Sequence, residues 1–155
     1  MLSEGSIAPS FSLEGSDGKP HSISEFKGRY LVLYFYPKDD TPGCTIEAKG
    51  FNSKTKELAS LGASVVGVSK DGYESHCKFV QKYGLKFLLL SDASGETIKK
   101  YDAYGNRGVF GPGTLRKTYI IDEKGRIAKI FPKVTPLGHE KEIIKSIKDL
   151  EAQED

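Results

Sequence analysis

The chain has 155 residues, of which 37% are hydrophobic and 28% charged, a composition typical of one globular domain, here expected over residues 1–155. Its 23 basic and 21 acidic residues are interspersed and give a formal net charge of +2, which argues against a nucleic-acid or anionic-membrane partner. No basic segment followed by an apolar one opens the chain, and no stretch approaches the roughly 20 apolar residues of a membrane span, so we expect a cytoplasmic protein.

The first half of the chain predicts strands that alternate with helices. Residues 30–36, YLVLYFY, form a continuous apolar run, which is the pattern of a strand buried on both faces. The apolar spacing then predicts a helix over 44–61, a second buried strand over 63–69 and another helix over 71–84. Each of these two helices ends at a glycine, which is the usual residue at a helix C-terminus.

The second half predicts a third strand at 87–92, a short helix at 94–105, a hairpin at 117–131 and a closing helix at 139–153. The glycine-rich stretch 105–113 has no phosphate-binding spacing, and we expect it to be a flexible loop. With parallel strands first and antiparallel strands last, this order predicts an α/β, thioredoxin-like fold. We expect a central mixed β-sheet that is flanked by helices and preceded by an N-terminal extension.

Cysteine usage indicates chemistry rather than structure. The chain has two cysteines, which cannot form a disulfide framework, and together with three scattered histidines they do not show the spacing of a zinc site. In a reducing cytosol, a reactive thiol explains them better.

Cys44 lies where a buried strand passes into a helix. A cysteine in a first helical turn faces unpaired backbone N–H groups and the positive end of the helix dipole, and both favour the thiolate. Pro37 and Pro42 stiffen the loop before it, Thr41 offers a hydroxyl, and Gly43 leaves the backbone N–H open to a small ligand. The alternative is that Cys44 is only a small hydrophobic residue at a helix start.

The residues around Cys44 resemble the active-site signature of a known family. Pro37, Thr41, Pro42 and Cys44 form P-x-x-x-T-P-x-C, which is similar to the signature of the peroxiredoxins. The longer string YFYPKDDTPGCTIEA resembles the bacterioferritin comigratory protein (BCP)/PrxQ branch. The likeness continues through GVS at 67–69, ESH at 74–76, KYGLKFLLLSD at 82–92 and RKTYIID at 116–122.

This resemblance implies a thiol peroxidase that needs no metal or other cofactor. The Cys44 thiolate would attack H2O2 or an organic hydroperoxide and become a sulfenic acid. Thr41 and Gly43 would bind and orient the peroxide, Pro37 would exclude water, and Arg116 would stabilise the thiolate and the leaving oxygen. Thioredoxin or a similar dithiol would be the reductant, and the branch is often monomeric. Without the resemblance, Arg116 is a surface charge that flanks a strand.

The resemblance leaves open how the sulfenic acid is resolved. Many members of the branch carry a second cysteine five residues after the first, where this chain has Lys49. Cys77, on the predicted 71–84 helix, is the remaining candidate, and a bond to Cys44 would require both helices to unwind locally. The alternative is that Cys77 packs on the inner face with Tyr73 and Val80, in which case an external thiol reduces the sulfenate.

The carboxylates nearest to Cys44 in the sequence are Asp39, Asp40 and Glu47. Negative charge would disfavour a thiolate, so we interpret them as solvated or as paired with Lys38 and Arg116. Glu47 could orient Arg116. We expect His76 to be a packing histidine or one on the helix surface rather than an acid or base.

Two other functions compete with the peroxidase. A redox sensor or holdase would use the same cysteine to transfer disulfides to partner proteins, and disulfide transfer to a partner would distinguish it from turnover with excess thiol. A thioredoxin-like module without chemistry would be indicated by an unreactive Cys44.

Overall fold

The computed structural model describes residues 2–154, so Met1 and Asp155, the two ends of the predicted domain, lie outside the described residues. The strands are β1 (Ser12–Gly15), β2 (Pro20–Ser22), β3 (Tyr30–Phe35), β4 (Ala63–Ser69), β5 (Leu88–Ser91), β6 (Tyr104–Asn106), β7 (Pro112–Thr114), β8 (Lys117–Ile121) and β9 (Ile127–Phe131). The helices are α1 (Pro42–Ser53), α2 (Thr55–Ser60), α3 (Tyr73–Tyr83), α4 (Glu96–Lys100) and α5 (His139–Glu154), with 3-10 turns at Ile23–Phe26 and Gly108–Phe110.

Seven of these strands form one mixed sheet in the order β2-β1-β5-β4-β3-β8-β9. The strands β3, β4 and β5 are parallel, whereas β8 and β9 on one side and β1 and β2 on the other are antiparallel to their neighbours. The predicted mixed sheet flanked by helices is therefore confirmed, and the predicted N-terminal extension supplies β1 and β2.

Strand β3 lies in the interior of the sheet, and the chain that leaves its end leads to Cys44. All six of its residues are buried, because alternate side chains enter two different apolar layers. Tyr34 packs in the layer that contains α1, α2, α3 and α5, together with Cys44. Phe35 packs in the opposite layer, which contains α4 and the N-terminal extension. Among residues 2–154, no helix combines the length and the apolar character needed to cross a bilayer.

The predicted helix over 44–61 is wrong in one respect, because it is two helices separated at Lys54 (φ −117°, ψ 12°). Around this residue side chains bond to the backbone: Ser53 Oγ donates to Gly50 O at 2.7 Å and Thr55 Oγ1 to Asn52 O at 3.3 Å. Such local bonds compete with the helical ladder, and they account for the break.

Two further predictions in the second half need correction. Helix α4 ends at Lys100 rather than near residue 105, because Asp102 has a φ of 54°, which a helix cannot continue through. The expected flexible loop at 105–113 contains most of an antiparallel hairpin formed by β6 and β7. Its turn is closed by a bond from Arg107 N to Gly111 O at 2.8 Å, and Gly111 has a φ of 73°.

Candidate active site

Cys44 is the third residue of α1 and is 1% exposed. The helix begins earlier than predicted, with Thr41 as N-cap and Pro42 as first residue, a position where proline is favoured. The N-cap side chain makes no bond to the helix, so it leaves the N–H groups of the first turn uncapped. These N–H groups and the helix dipole remain available to a negative charge at the sulfur.

Thr41 turns its hydroxyl away from the helix. Thr41 Oγ1 donates to Lys38 O at 2.8 Å, which uses its proton inside the loop and leaves the oxygen as an acceptor. Pro37 is half-buried at the bend where the chain leaves β3. The loop 37–41 therefore presents an acceptor oxygen beside the first turn of α1.

Arg116 reaches the same place from the segment just before β8. Its guanidinium lies over Gly43: a methyl group added there would be 2.5 Å from Arg116 Nη2 and 3.5 Å from Cγ of Pro136. Arg116 Nη1 also lies 3.4 Å from Glu47 Oε1, one turn along α1 from Cys44. The structure thus brings Arg116 against Gly43, the residue next to Cys44, and to Glu47.

A glycine is required at position 43 for a different reason from the one that we expected. The prediction was that its small size opens the backbone to a ligand, whereas the structure shows that the same space accommodates Arg116. Pro136, which also borders this space, was missed by sequence analysis. It lies in a loop far along the chain, and no local pattern connects it to Cys44.

Glu47 is buried, so the expectation of a solvated carboxylate is wrong, whereas its pairing with Arg116 is confirmed. Burial raises the pKa of Glu47 from 4.5 to about 8, and Arg116 only partly opposes this effect. At neutral pH the carboxyl is therefore mostly protonated. The positive charge of Arg116 consequently remains available to an anion beside Gly43.

Tyr34 adds a second buried polar group behind Cys44. Burial raises the pKa of Tyr34 well above its usual value, and the nearby Glu47 and Cys44 contribute in the same direction. Among the described residues, neither the Tyr34 hydroxyl nor Glu47 Oε2 has a hydrogen-bond partner. At neutral pH the Tyr34 hydroxyl is therefore uncharged and the Glu47 carboxyl mostly protonated.

Asp39 was predicted wrongly, whereas for His76 the structure selects the packing alternative. Asp39 is not solvated or paired with a basic residue of the loop, but buried, with its Oδ2 2.7 Å from His76 Nδ1. His76 is fully buried on the inner face of α3 rather than on its surface. The third carboxylate of the loop, Asp40, is exposed and pairs with Lys82 at 2.8 Å.

Cys77 lies apart from the residues around Cys44. It is half-buried, and its thiol donates to Ser16 O in the β1–β2 turn at 3.5 Å. The predicted inner-face packing is wrong, because the inner face of α3 carries His76 and Phe79. Tyr73, one turn earlier on α3, lies close to Cys77, and the neighbouring thiol raises the pKa of Tyr73. Both cysteines are free thiols.

The arrangement can hold an anionic sulfur and a small polar ligand. The first turn of α1 and Arg116 supply positive potential, and Thr41 supplies an acceptor, in a site with a buried sulfur. This is the environment in which a cysteine acts as a nucleophile.

Comparison with known proteins gives matches along nearly the whole chain. Residues 5–130 match the AhpC/TSA family. Peroxiredoxin Bcp of Bacillus subtilis (strain 168) is 41% identical over 149 residues, which cover 94% of this chain and 95% of that protein. The chloroplastic peroxiredoxin Q of Triticum aestivum is 41% identical over 150 residues, which cover 96% of this chain and 68% of that protein.

Solved structures show the same similarity in three dimensions. A mutant of Xylella fastidiosa PrxQ superposes with a TM-score of 0.91 at 30% identity, covering 100% of this chain and 99% of that one. The bacterioferritin comigratory protein of Xanthomonas campestris, described with its alkyl peroxide reduction activity, gives a TM-score of 0.86 at 32% identity, covering 90% and 91%. The predicted thioredoxin-like fold is confirmed by these neighbours.

Proposed function

This chain belongs to the AhpC/TSA family and is a thiol-dependent peroxidase of the Bcp/PrxQ peroxiredoxin type, and on that premise we propose that Cys44 is the peroxidatic nucleophile. The observation that carries this proposal is the position of Cys44, buried in an uncapped first helical turn beside Arg116. The thiolate attacks one peroxide oxygen, so that an S–O bond forms as the O–O bond breaks. The leaving oxygen takes a proton and departs as water or an alcohol, and Cys44 becomes a sulfenic acid.

The neighbouring residues have distinct roles in this proposal. Thr41 accepts a hydrogen bond from the peroxide, which is supported by the use of its own proton toward Lys38 O. Arg116 stabilises the charge on the sulfur and on the leaving oxygen, and its closeness to Gly43 supports this role. Pro37 shields one side from water, and the Gly43 N–H contributes a donor.

Resolution of the sulfenic acid is the second half of the cycle. We propose that Cys77 forms a disulfide with Cys44, which thioredoxin or a similar dithiol then reduces. Because Cys44 is buried and Cys77 lies under the β1–β2 turn, the first turn of α1 and part of α3 must open. The alternative is direct reduction of the sulfenate by an external thiol.

The substrates, compartment and assembly follow from this chemistry as proposals. The activity described for the Xanthomonas campestris relative supports alkyl hydroperoxides beside H2O2. The cytoplasm supplies the reducing thiols that the cycle consumes. We propose that the chain acts as a monomeric, single domain over residues 1–155. The named activities of the relatives do not favour the redox sensor or holdase.

The experiment that tests this proposal measures the intact mass after one equivalent of H2O2 and then an alkylating label. Wild type, Cys77→Ser and Cys44→Ser are compared. We expect a loss of two hydrogens in wild type, a trapped sulfenate in Cys77→Ser and no oxidation in Cys44→Ser. Sulfenate on Cys44 in wild type would instead support the external thiol, and an unmodified Cys44 would refute the proposed nucleophile.

A further inference from the structure

A hydrogen-bond network with a buried centre joins the loop before Cys44 to the helix that carries Cys77. Its members, called here the loop–α3 network, are Tyr36, Asp39, Asp71, Ser75 and His76. The Asp39 carboxylate accepts from the Tyr36 hydroxyl at 2.5 Å and from Ser75 Oγ at 2.8 Å, and it lies 2.7 Å from His76 Nδ1. The backbone N–H of Asp39 donates to Asp71 Oδ2 at 2.8 Å.

The bonding partners fix the number of protons that the His76–Asp39 pair carries. His76 Nε2 lies 3.0 Å from Leu90 O, and since a carbonyl can only accept, this nitrogen carries a hydrogen. The contact between His76 Nδ1 and Asp39 Oδ2 holds one more proton, so the pair is either an imidazolium with a carboxylate or a neutral ring with a carboxylic acid. In both cases the pair has no net charge, which makes its burial acceptable.

The network holds the loop 37–41, whose conformation places Thr41 and the start of α1. Asp39 lies between Pro37 and Thr41, and the following Asp40 has a φ of 57°, a conformation that surrounding contacts must maintain. Thr41 is the N-cap of α1 and lies three residues before Cys44. A shift of Asp39 would therefore move the Thr41 hydroxyl and the start of α1 together.

We propose that Asp39 and His76 are positioning residues for the peroxidase reaction. Their contact fixes the loop 37–41 on α3, and through it the placement of Thr41 and Cys44 toward the peroxide. This inference rests on the proposed function of Cys44. Oxygen and nitrogen atoms of Asp39, Asp71 and His76 lie within 4.8 Å of one another, but Tyr36 and Ser75 complete their bonding, so we interpret them as a hydrogen-bond network rather than a cation site.

Two substitutions of His76 separate its two contacts. In His76→Asn the amide nitrogen takes the place of Nδ1 and keeps the bond to Asp39, whereas in His76→Gln it takes the place of Nε2 and keeps the bond to Leu90 O. Both variants lose the ring and place an amide in the same buried position. They are therefore matched in polarity and in the number of hydrogen bonds lost: His76→Gln loses the contact with the loop, whereas His76→Asn loses the contact with Leu90 O.

The rate of sulfenate formation on Cys44 is measured by stopped flow with H2O2, in a Cys77→Ser background that prevents resolution. We expect His76→Gln to react about ten- to a hundredfold more slowly, because a displacement of about 1 Å costs that much in a positioned reaction. His76→Asn should stay close to the parent protein. Amide hydrogen exchange of residues 36–46 should rise in His76→Gln and not in His76→Asn.

Equal rates and equal exchange in the two variants would overturn the proposal. If His76→Gln does not fold, Tyr36→Phe removes one donor to Asp39, together with the longer 3.5 Å contact of the Tyr36 hydroxyl to His76 Nδ1, and leaves every side chain of α3 in place. It should slow the reaction in the same direction. An unchanged rate in Tyr36→Phe would then count against the network. A parent protein that forms no sulfenate on Cys44 would refute the proposed function itself, which is a different outcome from a reactive parent with unaffected variants.

Discussion

Replacement of Glu47 by glutamine tests the electrostatics of the site most directly. The pKa of this buried carboxyl is raised from 4.5 to about 8 by burial, against the partial opposition of Arg116. Between these two values the unfolded chain has lost the proton while the native protein keeps it. The free energy of unfolding therefore falls as pH rises, by about 1.4 kcal/mol for each pH unit, and in total by about 5 kcal/mol.

In Glu47→Gln a neutral amide replaces the carboxyl, so this loss disappears. We expect the variant to gain stability relative to the parent between pH 4.5 and 8, and the gain to level off above pH 8. The measurement is urea unfolding followed by far-UV circular dichroism at intervals from pH 5 to 9. Both proteins carry Cys44→Ser, which removes a second titratable group beside the carboxyl.

Only the difference between the two proteins isolates Glu47. Burial lowers the pKa of His139, so His139 makes the native state less stable as pH falls below 6.5 in both proteins alike. Glu57→Gln, which makes the same chemical change at a half-exposed site, serves as a control. A difference that is independent of pH, or a parent that gains on the variant as pH rises, would refute the reasoning and show that Arg116 outweighs burial.

Two further substitutions test the surroundings of the cysteines. Gly43→Ala places a methyl group 2.5 Å from Arg116 Nη2, and we expect it to slow sulfenate formation by about a hundredfold. Gly72→Ala is the control, because a methyl group added there would have no other atom within 4 Å. Equal rates in the two variants would contradict the role given to the Gly43–Arg116 contact. Tyr73→Ala should speed alkylation of Cys77 several-fold, as followed by mass spectrometry, because the Tyr73 side chain lies beside that thiol. An unchanged rate would show that the β1–β2 turn alone shields Cys77.

The sequence predicted those features of the fold that depend on neighbouring residues. Strand β3 and helices α1, α3 and α5 follow from apolar spacing over a few residues, and the turn with Pro37 and Pro42 marks the start of α1. The signature around Cys44 was sufficient for the family and the type of reaction. The individual roles of Thr41 and Arg116 stay predictions until they are measured.

The failures concern contacts between distant parts of the chain. Asp39 was expected to be solvated or paired with a basic residue because its charge would disfavour a thiolate. Its partner His76 lies 37 positions away in the sequence, and the two residues are stable together in the core. Gly43 looked like an opening for a ligand because nothing near it in the sequence fills that space. Arg116, which fills it, can be located only in three dimensions.

The interruption between α1 and α2 has a mechanical consequence. A continuous helix passes rotation along its axis, because each turn is bonded to the next. At Lys54 this coupling stops, and Leu58 of α2 is fixed separately in the core. The proposed disulfide requires unwinding at Cys44, and this unwinding would therefore end at or before Lys54. In the proposed cycle, oxidation would then deform at most the roughly three turns of α1, and α2 would keep its packing.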